Sequence, residues 1–140
     1  MRIIPGFFSQ WKNAIGFSSS PASSKPIVFY SEGRPSAPHL GPLIRELVSR
    51  GQSIQLLMSD KDDPLASLSA PNIKKFWIGS GAARTWVYSR LEASIFVTTT
   101  PDLETMQLKR SKKDVYYVYA HHSMISSHMG YRPSAFDYFD

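Results

Sequence analysis

Beyond Lys25 the chain alternates short apolar runs with amphipathic stretches and turn residues. IVFYS (27–31) predicts a strand and ends at SEGRPSAP, a Gly/Pro/Ser loop. HLGPLIRELVSRG (39–51) places Leu40, Leu43, Ile44, Leu47 and Val48 on one helical face, with Gly51 as a stop. SIQLLMS (53–59) reads as a second strand closed by the turn DKDDP, and IKKFWIG (73–79) as a weaker third. GAARTWVYSRLEA (81–93) predicts a helix with Trp86 and Leu91 inward and Arg84 and Arg90 outward. SIFVTTT (94–100) is a strand stopped by Pro101, PDLETMQL a short helix, and DVYYVYA (114–120) the last strand.

This order predicts an α/β domain with a mainly parallel sheet and right-handed crossovers. IVFYS and SIFVT are close to continuously apolar, as strands covered on both faces are. Ligands of such sheets bind beyond the carboxyl ends of the strands. Three polar segments should therefore converge on one edge. The first brings Glu32, Gly33, Arg34 and His39, the second Thr100, and the third His121, His122 and Ser123.

Residues 1–25 differ from the rest and are expected to form an amphipathic leader and a polar linker ahead of a domain over 26–140. MRIIPGFFSQWKNAIGF is rich in large apolar side chains and carries only Arg2 and Lys12 as charges. SSSPASSKP follows as a flexible connection. Pro5, Gly6, Gln10 and Lys12 interrupt any signal-peptide core. Phe7, Phe8, Trp11 and Ile15 fall near helical spacing, which suits an anchor dipping into a bilayer surface. A strip packing on its own domain would show the same spacing.

The 140 residues fit about one domain, and 42% apolar residues are enough to bury a core. A formal charge of +5 favours an anionic partner: phosphate, nucleic acid or an acidic membrane surface. The run KRSKK (109–113) is the densest basic segment. No RNA- or DNA-binding motif accompanies it, so nucleic acid is not expected as a partner. With no cysteine, disulfides and thiolate metal sites are excluded.

YVYAHHSMISSHMGYRP (117–133) holds three of the four histidines. A histidine at the carboxyl end of a strand can take a proton from a hydroxyl near neutral pH. His121 and His122 point in opposite directions if both are extended, so one faces the cleft. With His128 they give H-H-x5-H, which matches no zinc motif, and no metal is expected. The SEGRPSAPHLGP loop lacks G-x-G-x-x-G and a Walker lysine, so no nucleotide cofactor is expected. Amides opening the following helix could still meet an anion, with Arg34 beside them.

Three long segments, IVFYSEGRPSAPHLGPLIREL, PNIKKFWIGSGAARTWVYSRLEASIFVTTTPDLETMQLKRSK and VYYVYAHHSMISSHMGYRPSAFDYFD, run in the order found in a known family. Together they resemble the N-terminal half of CDP-glycerol glycerophosphotransferase-like proteins, relatives of the poly(glycerol phosphate) polymerases of teichoic acid synthesis. The resemblance implies a Rossmann-like three-layer domain, the acceptor-side half of a GT-B architecture. The CDP-linked donor would bind a C-terminal domain that these 140 residues do not include. In the polymerases the base resembles a histidine in a Trp-His-Gly motif; the matching place here is Ala120-His121-His122-Ser123, without that Trp and Gly. His122 fits the family's His-Ser variant as general base, and His121, where an aromatic is common, is the alternative. The implied reaction is attack of an acceptor hydroxyl on the β-phosphorus of the donor, with CMP leaving. The implied setting is the cytoplasm, peripheral to the inner face of the cell membrane, with the acceptor a cell-envelope polymer.

Two other readings keep the sheet and change the role. One is a nucleotide-sugar glycosyltransferase of GT-B fold. The other is a non-catalytic Rossmann-like binding or assembly module. Whether the cleft face, stripped of a partner domain, pairs in a homo-oligomer is left open by the sequence. The chain stops at FDYFD directly after a helix-like stretch, and a longer protein is expected.

Overall fold

The computed structural model describes residues 6–101, 103–104, 108–120 and 134–140. Five strands, β1 (Ile27–Ser31), β2 (Ile54–Met58), β3 (Ile73–Trp77), β4 (Ile95–Thr98) and β5 (Tyr116–Tyr119), form one sheet in the order β3-β2-β1-β4-β5. Every pairing is parallel, as the alternation of strands and helices predicts. β1 and β2 are buried at all five positions, which is why their sequences are mostly apolar, with Ser31 and Gln55 as buried polar members. The edge strands β3 and β5 carry more polar side chains and are only partly covered.

Successive side chains of β1 go to opposite layers. Ile27 and Phe29 join Leu40 and Ile44 of α2 (Ala37–Ser49) on one face. Val28 and Tyr30 join α1 (Phe7–Ser19) and α3 (Ala82–Ser89) on the other. Helices on both faces of a parallel sheet make this an α/β, Rossmann-like, three-layer fold. Among the described residues, no helix is long and apolar enough to cross a membrane.

Two expected faces turn differently. Leu43, expected inward, is exposed. The buried stripe of α2 is Leu40, Gly41 and Ile44, with Gly41 beside Leu65, and this leaves Leu43 on the outer side. In α3 the buried stripe is Ala83, Val87 and Tyr88. Trp86 is half-buried against Trp11, with ring centroids 5.7 Å apart, while Leu91 is buried as expected. Arg84, expected outward, is partly buried, because its guanidinium reaches the Tyr30 hydroxyl. Of the predicted helix over 101–108, only part lies within the described residues.

α1 is seated on α3 and β3. Ala14 and Phe17 enter the core, Phe17 meets Phe76 at 5.5 Å, and Asn13 Nδ2 donates to the Trp77 carbonyl at 2.9 Å. Its outer side leaves Phe7, Phe8 and Ile15 exposed. The polar connection that follows holds a short 3-10 turn over Ala22–Ser24, then Lys25, which is buried with its ammonium 4.7 Å from the Phe17 ring centroid. Burial pushes the Lys25 amine below its ordinary value, and Glu92 partly opposes this. At the other end of the chain, Asp140 pairs with the open edge of β5. Its N–H donates to the Tyr117 carbonyl at 2.8 Å, and its Oδ2 accepts from the Tyr117 N–H at 2.8 Å. That occupies backbone groups an edge strand would otherwise offer to another chain.

Candidate functional site

Because every strand runs the same way, the turns after β1, β2, β3 and β4 open at one edge. β1 lies between β2 and β4, with α2 following it onto one face and α3 preceding β4 on the other. The strand order therefore reverses beside β1, and ligands of sheets of this kind bind in the crevice at the carboxyl end of such a switch point.

Hydrogen bonds tie the walls of this crevice together. Ser36 Oγ and Thr99 Oγ1 lie 2.7 Å apart, joining the β1–α2 turn to the segment after β4, and Ser36 Oγ also accepts from the Glu32 N–H at 3.2 Å. Gly33 has φ +125, and a Cβ there would lie 3.0 Å from Asp60 Oδ2. Glycine lets the turn approach the exit of β2 in a backbone region that side chains disfavour. β5 leaves the sheet at the same edge, with the Ala120 N–H donating to the Thr98 carbonyl at 2.8 Å.

The amides expected to receive an anion at the start of α2 are already occupied. The N–H groups of Ser36 and Ala37 donate to the Gly33 carbonyl at 3.0 and 3.2 Å, and that of His39 donates to the Ser36 carbonyl at 3.1 Å. Pro38 has no N–H to give. Glu32, Arg34 and His39 are exposed around this turn, whereas Gly33 is buried. Thr100 is half-buried; its N–H donates to Thr98 Oγ1 at 3.0 Å, and its own Oγ1 is buried without a hydrogen bond among the described residues. Glu32, Gly33, Arg34 and Thr100 therefore share one edge, with His39 in the first turn of α2. His121, His122 and Ser123 lie outside the described residues.

A second polar set behind β1 is one that sequence reasoning missed. Ser59 Oγ donates to the Gly79 carbonyl at 2.7 Å, so its single proton is spent. The Tyr30 hydroxyl, 2.5 Å away, must then donate to Ser59 and accept from Arg84 Nη1 at 3.1 Å. Burial pushes the Tyr30 phenol up despite these bonds, and the fully buried Tyr88 phenol rises well above its ordinary value for the same reason. Tyr88 stands beside Thr98 but completes no hydrogen bond of good geometry among the described residues. Arg84 Nε is likewise buried without an acceptor. Arg84 takes part in neither ion pair found among the described residues, and both it and Glu32 act electrostatically on Tyr30 and Tyr88.

Comparison with family models, with curated proteins and with solved structures finds no match for this chain. The sequence held one weak sign of the polar set: Tyr30 and Arg84 are polar-tipped residues within an apolar strand and a helix. Their pairing spans 54 positions, beyond the reach of any local pattern. Among the described residues, no group of three His, Cys, Asp or Glu side chains could hold a metal ion. At this edge the Ser36–Thr99 hydroxyl pair, Thr100 Oγ1 and the Tyr30 relay are buried, while Glu32 and Arg34 are exposed and Arg84 is half-buried.

Proposed function

We propose that the chain is the acceptor-side domain of a CDP-glycerol glycerophosphotransferase-like enzyme. The carrying observation is the Ser36–Thr99 hydrogen bond, which joins the turn after β1 to the segment after β4 at the crevice where β5 also exits. On this reading the acceptor hydroxyl lies in the crevice, and His122 takes its proton as the oxygen attacks the β-phosphorus of the donor. Arg34 and Arg84 offset phosphate charge from the acceptor side. Remaining donor contacts come from a second domain.

The test is nucleotide release. A form that carries the donor-binding half is expected to release CMP from CDP-glycerol when a hydroxyl acceptor is present. The 140-residue chain alone is expected to release none. CMP release by the chain alone, or release of UDP from a UDP-sugar by the longer form, would contradict the reading.

Peripheral attachment to an anionic membrane belongs to the same proposal. Its support is the outer face of α1, where Phe8 is 71% and Ile15 54% exposed while Phe17 holds the helix to the core. Phe7→Ser with Phe8→Ser is expected to cut co-sedimentation with phosphatidylglycerol vesicles several-fold without altering the far-ultraviolet circular dichroism. Equal sedimentation of variant and wild type would remove the anchor.

A further inference from the structure

The basic run KRSKK has no part in the transferase reading. In the structure its end forms one wall of an open cavity of about 760 Å³. The other walls are Ile15 of α1, together with Trp86 of α3 and Arg90 just beyond it. These segments precede β1, β4 and β5, so the cavity lies at the amino edge of the sheet, opposite the crevice. We propose that this cavity binds a phosphate-bearing ligand, with Lys112, Lys113 and Arg90 on the phosphate and an apolar portion against Trp86 and Ile15.

The backbone that carries the lysines is fixed. Ser111 Oγ donates to the Leu91 carbonyl at 2.6 Å, the Ser111 N–H donates to the Tyr117 hydroxyl at 3.0 Å, and the Lys113 N–H donates to Ser111 Oγ at 3.3 Å. Arg110 is committed to structure: Nη1 donates to the Tyr138 carbonyl at 2.9 Å, and Nη2 pairs with Asp140 at 3.1 Å. Lys112 and Lys113 are left exposed on a braced loop. Arg90 stacks on Trp86, 5.0 Å from the ring centroid, which holds a guanidinium at the mouth.

The carboxylate lining the cavity is Glu92, whose charge is felt by the buried Lys25 and is thus partly answered from within. Cations therefore prevail at the rim. Ser18, also in the wall, has its Oγ buried and without a hydrogen bond among the described residues. Several convergent cations suit a phosphate. The volume falls in the range of small-molecule sites and far exceeds one phosphate, so the aromatic wall is given to the rest of an ester. This inference does not depend on the transferase reading.

The experiment is a titration of inorganic phosphate into the isotope-labelled chain, with ionic strength held constant by chloride and amide and indole resonances followed. Local shifts at the Trp86 indole N–H and at the Lys112 and Lys113 amides are expected, while Gly33 and Thr100 stay unmoved. Lys112→Ala with Lys113→Ala should weaken the response by about tenfold or more, as loss of two charge-assisted contacts implies. A second arm uses phosphatidylglycerol vesicles. Lysine-dependent vesicle binding displaced by free phosphate assigns the phosphate to a lipid headgroup; a phosphate response with no lysine-dependent vesicle binding assigns it to a soluble ester. Shifts spread over the whole basic surface, shifts confined to the crevice, or a double variant that responds like wild type would overturn the site.

Discussion

Phe96→Ala is expected to unfold at a urea concentration about 2 M below the wild-type midpoint, from a loss of ~4 kcal/mol and a slope of ~2 kcal/mol/M. Phe96 is fully buried in β4, facing α1 and α3. Its ring lies 5.3 Å from Tyr88 and 5.5 Å from Tyr117, and Tyr88 in turn meets Tyr30 at 5.4 Å. One ring thus joins the centre of the sheet to β5 and to α3. Flanking strands hold the backbone in place, so little can collapse into the space left behind. Domains of this kind have about 5–15 kcal/mol of total stability, so the loss is a large share. Leu43→Ala is the internal comparison: its side chain is 40% exposed, and a cost below about 1 kcal/mol is expected. Circular dichroism during urea unfolding measures both, and equal midpoints for the two variants would contradict this account of the core.

The same core shows what could be read in advance. A run that is apolar from Ile27 to Phe29 and continues through Tyr30 shows no polar alternation, so β1 had to be covered on both sides, and it is. From a parallel sheet it also follows that Gly33 and Thr100 share an edge, since both come just after strand ends. Local pattern says less at the borders of a helical stripe. There a long side chain can turn either way, and its direction depends on a distant partner. Arg84 turns inward because Tyr30 offers an oxygen, and Leu43 lies outward because the buried stripe of α2 runs through Leu40, Gly41 and Ile44. The Ser36–Thr99 bond, across 63 positions, is another pairing that only the fold reveals. Composition also set residues 1–25 apart, because a Ser- and Pro-rich stretch separates them from β1. Packing is indifferent to that separation: Phe17 still fills a space beside Phe76, and Lys25 is buried over its ring.

On the transferase reading proposed above, His122→Ala in a form joined to a donor-binding half is expected to lower kcat/KM for CMP release by about 10²-fold or more. Without a base, the proton of the acceptor hydroxyl must pass to water as the oxygen attacks. A neutral imidazole can accept it. Wild-type activity should then show an acid limb, because protonated histidine cannot act as a base. The variant should lose this acid limb along with its rate. A merely structural histidine would lower the rate and leave the limb in place. His121→Ala is the paired measurement: near-wild-type turnover keeps the base at His122, and the opposite ranking moves it to His121. If neither substitution alters the pH profile, the proton leaves by another route, and the buried Tyr30–Ser59 relay with its Arg84 donor becomes the next group to test at that edge of the sheet.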